Sequence, residues 1–469
     1  MRVEEVLAKL KQLGAAEVPP PPVPRGRVGV GVESRLAHET PTLTLPLGTG
    51  GGEEEGLQNV SGAPAEAESP LPEKVNAHIH LPPNFSAFAT VGQAVDLADE
   101  QGVSVLGASN YYDYDVYGEF GKLALARGIY PLFGLEIIAM SQPLRAAGVK
   151  VNDPGNPGKI YVCGKGITRF APMNAEASRL LGVIRKDDSA RMKQMTARLA
   201  EAFERHGVQT GLDGEAVIDR VVKRHGSPRG QVYLQERHVC QAFQERLFEL
   251  VPAEGRIAKL TAIFGAAPKA GADDAVKIQN EIRSHLMKTG KPAFVEESFL
   301  SMEEAYELIV QLGGIPCYPV LADGQNPISE YESPVEKLIE NLRSARIWMA
   351  EFIPVRNSVE TILKYVPAMR RAGFAVTAGT EHNTLDLIGM EPTCLNGEAV
   401  PDQIMAIFRE GACVVAAHQQ LNLNGRVGFT DDRGRLNPEY GNQDEGIRRL
   451  AKIGAAAVAR NAANAGAWV

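Results

Sequence analysis

Val75-Asn-Ala-His-Ile-His80 decides how this chain is read. A strand turns alternate side chains to one face, so His78 and His80 point the same way, and two imidazoles on one face can share a metal ion. The run follows a Pro/Gly-rich stretch and precedes helical spacing from Val91 to Gln101, which predicts the first strand of a βα series. In barrels built from such units, sites lie where strands end and loops begin. Alone, the pair reads equally well as an ordinary polar strand edge, so the rest of the chain has to decide.

Working outward, short apolar runs predict strands near 75–80, 103–109, 130–138, 159–163, 314–320, 350–355 and 374–380. Helical spacing fills 91–101, 119–127, 301–312, 334–346, 358–372 and 401–410. Seven strands with intervening helices suggest an α/β barrel rather than an open sheet. The charged, amphipathic stretch 185–300 reads as an α-helical insertion, dividing the barrel into 73–184 and 301–469. Residues 3 to 14 predict a short helix. The remainder of 1–72, with Pro19 to Pro22 and Gly48 to Gly52 as extremes, reads as a flexible leader of too little apolar content to order itself.

Composition narrows the class. A chain of 469 residues with a formal net charge of −8 has room for one large core plus an insertion, and carries no basic stripe to pair with a nucleic-acid backbone. Cys163, Cys240, Cys317, Cys394 and Cys413 form no Cys-x-x-Cys pair and leave an odd count, which argues for a reducing cytoplasm over a disulfide scaffold or zinc ribbon. The opening Met1-Arg-Val-Glu-Glu5 lacks a basic region followed by an apolar one, and no run approaches the roughly 18 to 20 apolar residues of a membrane span, so neither export nor insertion is expected. Asn152-Asp-Pro-Gly-Asn-Pro-Gly-Lys159 lacks the leading Gly and the Ser or Thr of a phosphate-binding P-loop and reads as a turn.

Over most of 73–420 these residues resemble the PHP (polymerase and histidinol phosphatase) superfamily of metal-dependent phosphoesterases, whose fold is a distorted (β/α)7 TIM-like barrel. The family's opening His-x-His is matched by His78 and His80, its Gly-x-Glu strand by Phe133-Gly-Leu-Glu-Ile137 with Glu136 in the ligand position, and its Gly-Ser-Asp-x-His strand by Thr377-Ala-Gly-Thr-Glu-His-Asn-Thr384. In the last, Glu381 stands for the Asp, and the His has moved to His382 or been replaced by Asn383. Three expected histidines are instead Tyr111 (in Ser109-Asn110-Tyr111), Tyr161 and Tyr318, and the aspartate expected after His-x-His is missing from Leu81-Pro-Pro-Asn-Phe-Ser86. The resemblance therefore implies a reduced metal site rather than a trinuclear cluster.

Imidazole with carboxylate suits one Zn, Mn or Fe(II), so His78, His80 and Glu136, with Glu381 or His382, are the candidate ligands of a site that activates water. Asn110, Tyr111, Tyr161, Tyr318, Arg356 and Asn383 are candidate substrate contacts. A protonated phenol donates hydrogen bonds to phosphate or oxyanion, and a guanidinium at a strand end pairs with phosphate or carboxylate. Asp323 is a candidate acid or base. His238, in Glu236-Arg237-His238-Val239, resembles a basic segment of inserted domains in some family members and is a candidate contact from above the barrel. The expected function is hydrolysis, in the cytoplasm, of a small phosphorylated or polyhydroxylated metabolite. The alternative is an inactive barrel that binds a ligand or partner. An amidohydrolase-like site would add a bridging Lys and two later His residues, for which the sequence offers no candidates.

Overall fold

The strand predicted over 75–80 forms as β1 (Val75–Ile79), and every residue of it is buried. It pairs in parallel with β2 (Val105–Ala108), Val75 opposite Val105, and β2 pairs in parallel with β3 (Tyr130–Met140), Val105 opposite Tyr130. The computed structural model describes residues 2–14, 69–440 and 442–467. The leader expected up to residue 72 therefore lies, from 15 to 68, outside the described residues. The helix expected at 3 to 14 forms at Val3–Leu13 and is part of the core: Val3, Val6, Leu7, Leu10 and Leu13 are buried. Its last carbonyls are covered from the opposite end of the chain, Leu10 O by Gln420 Nε2 (2.9 Å) and Leu13 O by Arg460 Nε (2.6 Å).

The sheet continues through β4 (Lys159–Lys165), β6 (Ile315–Val320), β7 (Met349–Phe352) and β8 (Ala375–Ala378), while the two-residue β5 (Leu300–Ser301) extends β3 from the side. A bridge between Ile79 and Glu381 brings the last strand back to the first, giving a nearly closed, seven-stranded barrel wrapped by helices. One strand departs from a uniform βα series. β4 is antiparallel to both neighbours, with Glu136 opposite Cys163 and Cys163 opposite Cys317. Between β3 and β4 the chain forms only one short helix, Gln142–Ala146, and then turns back along β3.

That reversal sets up the insertion. β4 starts at the mouth with Lys159 and Tyr161 and ends at the barrel's base with Lys165, so the chain must climb back. It does so in one 30-residue helix, Ala175–Glu204, about 45 Å long. This helix begins ten residues before the expected boundary of 185, because Asn174 supplies a cap to Ala177 N. The helices Gly214–His225, Glu236–Leu250, Ala253–Phe264 and Ala275–Ile282 complete the insertion around a core of their own that includes Leu199, Phe203, Val239, Phe243 and Leu260. Returning to the barrel, Ser301 and Glu304 cap the helix Met302–Gln311 reciprocally, as Ser-x-x-Glu predicts. Among the described residues no helix is long and apolar enough to cross a membrane, and all five cysteines are free and buried.

Candidate metal centre

His78 lies inside β1, where adjacent backbone comes unusually close: a Cβ on Gly379 would sit 2.3 Å from His78 Cβ, so only glycine lets the end of β8 pass. There the chain turns through two left-handed residues, Glu381 (φ 57°) and His382 (φ 51°), a conformation that disfavours side chains other than glycine. The turn is held by backbone bonds to β1, Glu381 N to His78 O at 2.9 Å and His80 N to Glu381 O at 2.8 Å.

Three donor atoms converge below this turn. His78 Nε2 and His80 Nε2 are 3.3 Å apart, and Glu136 Oε2 lies 3.4 Å from the first and 3.2 Å from the second. A tetrahedral ion with bonds of about 2.0 to 2.1 Å holds its ligands about 3.3 to 3.4 Å from one another. The trio has that spacing. Glu136 Oε2 is buried without a well-formed hydrogen bond, as is His80 Nδ1, and such orphaned atoms are uncommon in folded proteins. The donor set therefore fits a divalent ion, with His78, His80 and Glu136 as its protein ligands.

Behind the trio sits a layer that the sequence reading overlooked. Glu351, wholly buried in β7, accepts from His78 Nδ1 at 2.7 Å and pairs with Lys165 Nζ at 2.6 Å. Lys165 also donates to Ala77 O (3.1 Å) and Ser109 Oγ (3.2 Å). Holding the Nδ1 proton fixes the tautomer in which Nε2 is free to ligate. Burial opposes a charge on His78, but the carboxylates of Glu351 and Glu136 outweigh it and raise its pKa to about 9 without metal. For Glu136, burial is outweighed by the two imidazoles, so it stays ionised. The available signal was a lone acid in Met349-Ala-Glu-Phe352 and a lone base ending Val162-Cys-Gly-Lys165, since charges in otherwise apolar strands are seldom buried unless paired.

His78 and Glu136 of the trio line a cavity of about 780 Å³ between barrel mouth and insertion. Of the expected substrate contacts, Tyr111, Tyr161, Arg356 and Asn383 line it. Tyr111 stacks on His80 (5.1 Å between centroids, planes 6° apart) and donates to Glu136 Oε1 at 3.0 Å. Burial keeps the phenols of Tyr111 and Tyr161 protonated, the latter with a pKa of about 12. Arg356 pairs with Glu381, which also accepts from Asn383 Nδ2 at 2.5 Å. Glu381 is thus spent on the rim and is not one of the three converging donors.

Five expected site residues are instead engaged within the protein, although His238 keeps one buried ring nitrogen, Nε2, without a hydrogen bond. His382 joins Thr380 Oγ1 through Nδ1 (2.7 Å) and donates from Nε2 to Ile388 O (3.0 Å), leaving no lone pair for a metal. Asn110 clamps Leu81 from both sides, accepting from its N–H and donating to its C=O. Tyr318 lies in the hydrophobic core and donates to Glu332 (2.8 Å). Asp323 accepts from Asn357 and twice from Ser358, tying the start of helix Val359–Arg371 rather than facing substrate. His238 is buried, its Nδ1 accepting from Gln235 N at a helix start, and burial lowers its pKa to about 3.

Its neighbour Arg237, passed over in the sequence, lines the cavity instead. The other cavity cations have carboxylate partners: Lys159 with Glu297, Arg191 with Glu236 and Glu297, Arg283 and Lys288 with Glu236, Arg356 with Glu381. Among the described residues Arg237 forms no ion pair; it donates to Asn280 Oδ1 (3.2 Å) and lies over the face of Phe85 (6.0 Å). Burial, and then repulsion from Arg283, disfavour its charge, a debt that an anion entering the cavity would offset.

No family model matches the chain, and no curated protein matches it. Among solved structures it is similar to an amidohydrolase from Chromobacterium violaceum with sulfate bound and no metal, at a TM-score of 0.47 and 18% identity, over 71% of this chain and 96% of that one. It is also similar to a protein described as a metal-dependent phosphoesterase from Bifidobacterium adolescentis, at a TM-score of 0.47 and 16% identity, over 76% and 100% of the two chains.

Proposed function

We propose that this barrel is a PHP-like hydrolase of small phosphorylated metabolites, working with one divalent metal held by His78, His80 and Glu136. The observation that carries the reading is the convergence of three buried donor atoms at ligand spacing, two of them at the end of β1 and just past it, beside a substrate-sized cavity. A divalent ion in such a set polarises a phosphoryl oxygen and lowers the pKa of a water ligand toward about 7.

The chain's own groups do the rest. Arg237, the cavity cation without a carboxylate, receives an anionic group of the substrate from the insertion side. The phenols of Tyr111 and Tyr161 remain protonated at neutral pH and donate to substrate oxygens. Tyr111 also holds Glu136 Oε1, which leaves Oε2 directed at the imidazoles. The insertion roofs the cavity and limits bulk water. Five free, buried thiols are compatible with work in a reducing cytoplasm.

The test is metal content by elemental analysis of protein purified without chelator, alongside His78→Ala and Glu136→Ala, followed by a phosphoester screen. About one Zn, Mn or Fe per chain, lost in both variants, is expected. A wild-type protein that takes up none, even after incubation with Mn or Zn, would sink the hydrolase and leave a ligand-binding barrel.

A further inference from the structure

Lys165 is wholly buried in the barrel, beside a second cluster of candidate metal donors. A ring nitrogen of His78, Cys163 Sγ and a carboxylate oxygen of Glu351 form a second group of candidate donors, all buried and within 4.8 Å of one another, with the His78 nitrogen nearest Glu351 being Nδ1. A soft thiolate, an imidazole nitrogen and a carboxylate make a plausible set for Zn or Co. In this chain a cation is already there. Lys165 Nζ lies 2.6 Å from Glu351 and 3.5 Å from His78 Nδ1, and its remaining donors reach Ala77 O and Ser109 Oγ.

We infer that the Lys165 ammonium is a built-in replacement for a second metal ion and holds the centre mononuclear. Charge accounts for the arrangement. Glu351 must stay ionised to hold the Nδ1 proton of His78, yet a buried carboxylate needs a compensating cation. A metal ion in that place would claim Nδ1 and force His78 to bridge two ions as an imidazolate. An ammonium offers only hydrogen bonds, so it satisfies Glu351 while leaving the Nδ1 proton on His78 and Nε2 free for the first metal. Lys165 is thus a positioning residue, acting through Glu351 and His78. It reaches this spot because β4 runs antiparallel and ends at the base of the barrel. This inference rests on the metal reading above.

The experiment is Co(II) titration with stoichiometry and absorption spectra recorded together. Wild type is expected to bind one equivalent with no thiolate-to-cobalt charge-transfer band in the near ultraviolet. Lys165→Met is expected to bind a second equivalent and gain that band, and Lys165→Met with Cys163→Ser to lose the band again. A Lys165→Met protein that still binds one ion without the band overturns the inference and leaves the hydrolase reading intact. Wild-type protein loaded with excess Mn(II) decides independently should the Met variant not fold: an isolated-ion paramagnetic resonance spectrum is expected, and an exchange-coupled pair overturns the inference. Wild type that binds no ion of either kind overturns both readings.

Discussion

The ends of β1 and β8 face each other across the closure of the barrel, and histidine meets glutamate beside each, Glu136 of β3 at the first and Glu381 at the second. At β1, His78 and His80 turn Nε2 toward each other and toward Glu136 with orphaned atoms left over. At β8, His382 has both ring nitrogens bonded to protein, and Glu381 is shared between Arg356 and Asn383. The same residue types therefore serve as ligands at one end and as struts at the other. Hydrogen-bond saturation separates the two, because a lone pair already bonded to protein is not available to a metal or substrate.

The contrast can be broken most directly from behind the unsaturated end. Glu351→Gln keeps the shape but weakens the hold on His78, and metal affinity by isothermal titration is expected to fall by about 10- to 100-fold. An unchanged affinity would reduce Glu351 to packing. At the cavity, Arg237→Gln removes a charge-assisted bond of about 1.5 to 3 kcal/mol, so an anionic substrate or inorganic phosphate should bind roughly ten to a hundred times more weakly, with metal content unchanged.

The pH dependence sharpens the comparison further. Metal must displace the proton that His78 holds up to a pKa of about 9, so apparent metal affinity should rise about tenfold per pH unit from about pH 7 and level off above about 9. Stability of the metal-free protein should move the other way. The folded-state value lies above the ordinary histidine value of about 6.5, so this stabilisation is complete below about pH 6.5 and is lost as pH rises through about 9. Thermal melts with and without metal across this window would reveal opposite slopes, and parallel slopes would remove His78 from the centre. The smallest effect belongs to the saturated class: Tyr318→Phe deprives buried Glu332 of a donor, costing about 1 to 2 kcal/mol in denaturant unfolding while metal content stays the same.

Local pattern was enough for the elements and for part of the site. Alternation placed His78 and His80 on one face, and the seven apolar runs became the seven barrel strands with boundaries within a few residues. Tyr111, Tyr161, Arg356 and Asn383 do reach the cavity. Asn110, Tyr318, Asp323, His238 and His382 are bonded to other protein groups; a motif position records where a side chain starts and not what it meets. Glu351 and Lys165 were missed for the complementary reason. Each looks like a stray charge in an apolar strand until the barrel brings residues 78, 165 and 351 together.

By itself the sequence determined the periodicities, and with them a barrel of short strands and a paired-histidine face, because those depend on side-chain spacing along a single strand or helix. Only the tertiary structure decided which donors stay unsatisfied, which cavity cation lacks a carboxylate and where Lys165 ends up. Hydrogen-bond saturation and charge compensation are properties of groups far apart in the chain, and folding alone makes them neighbours.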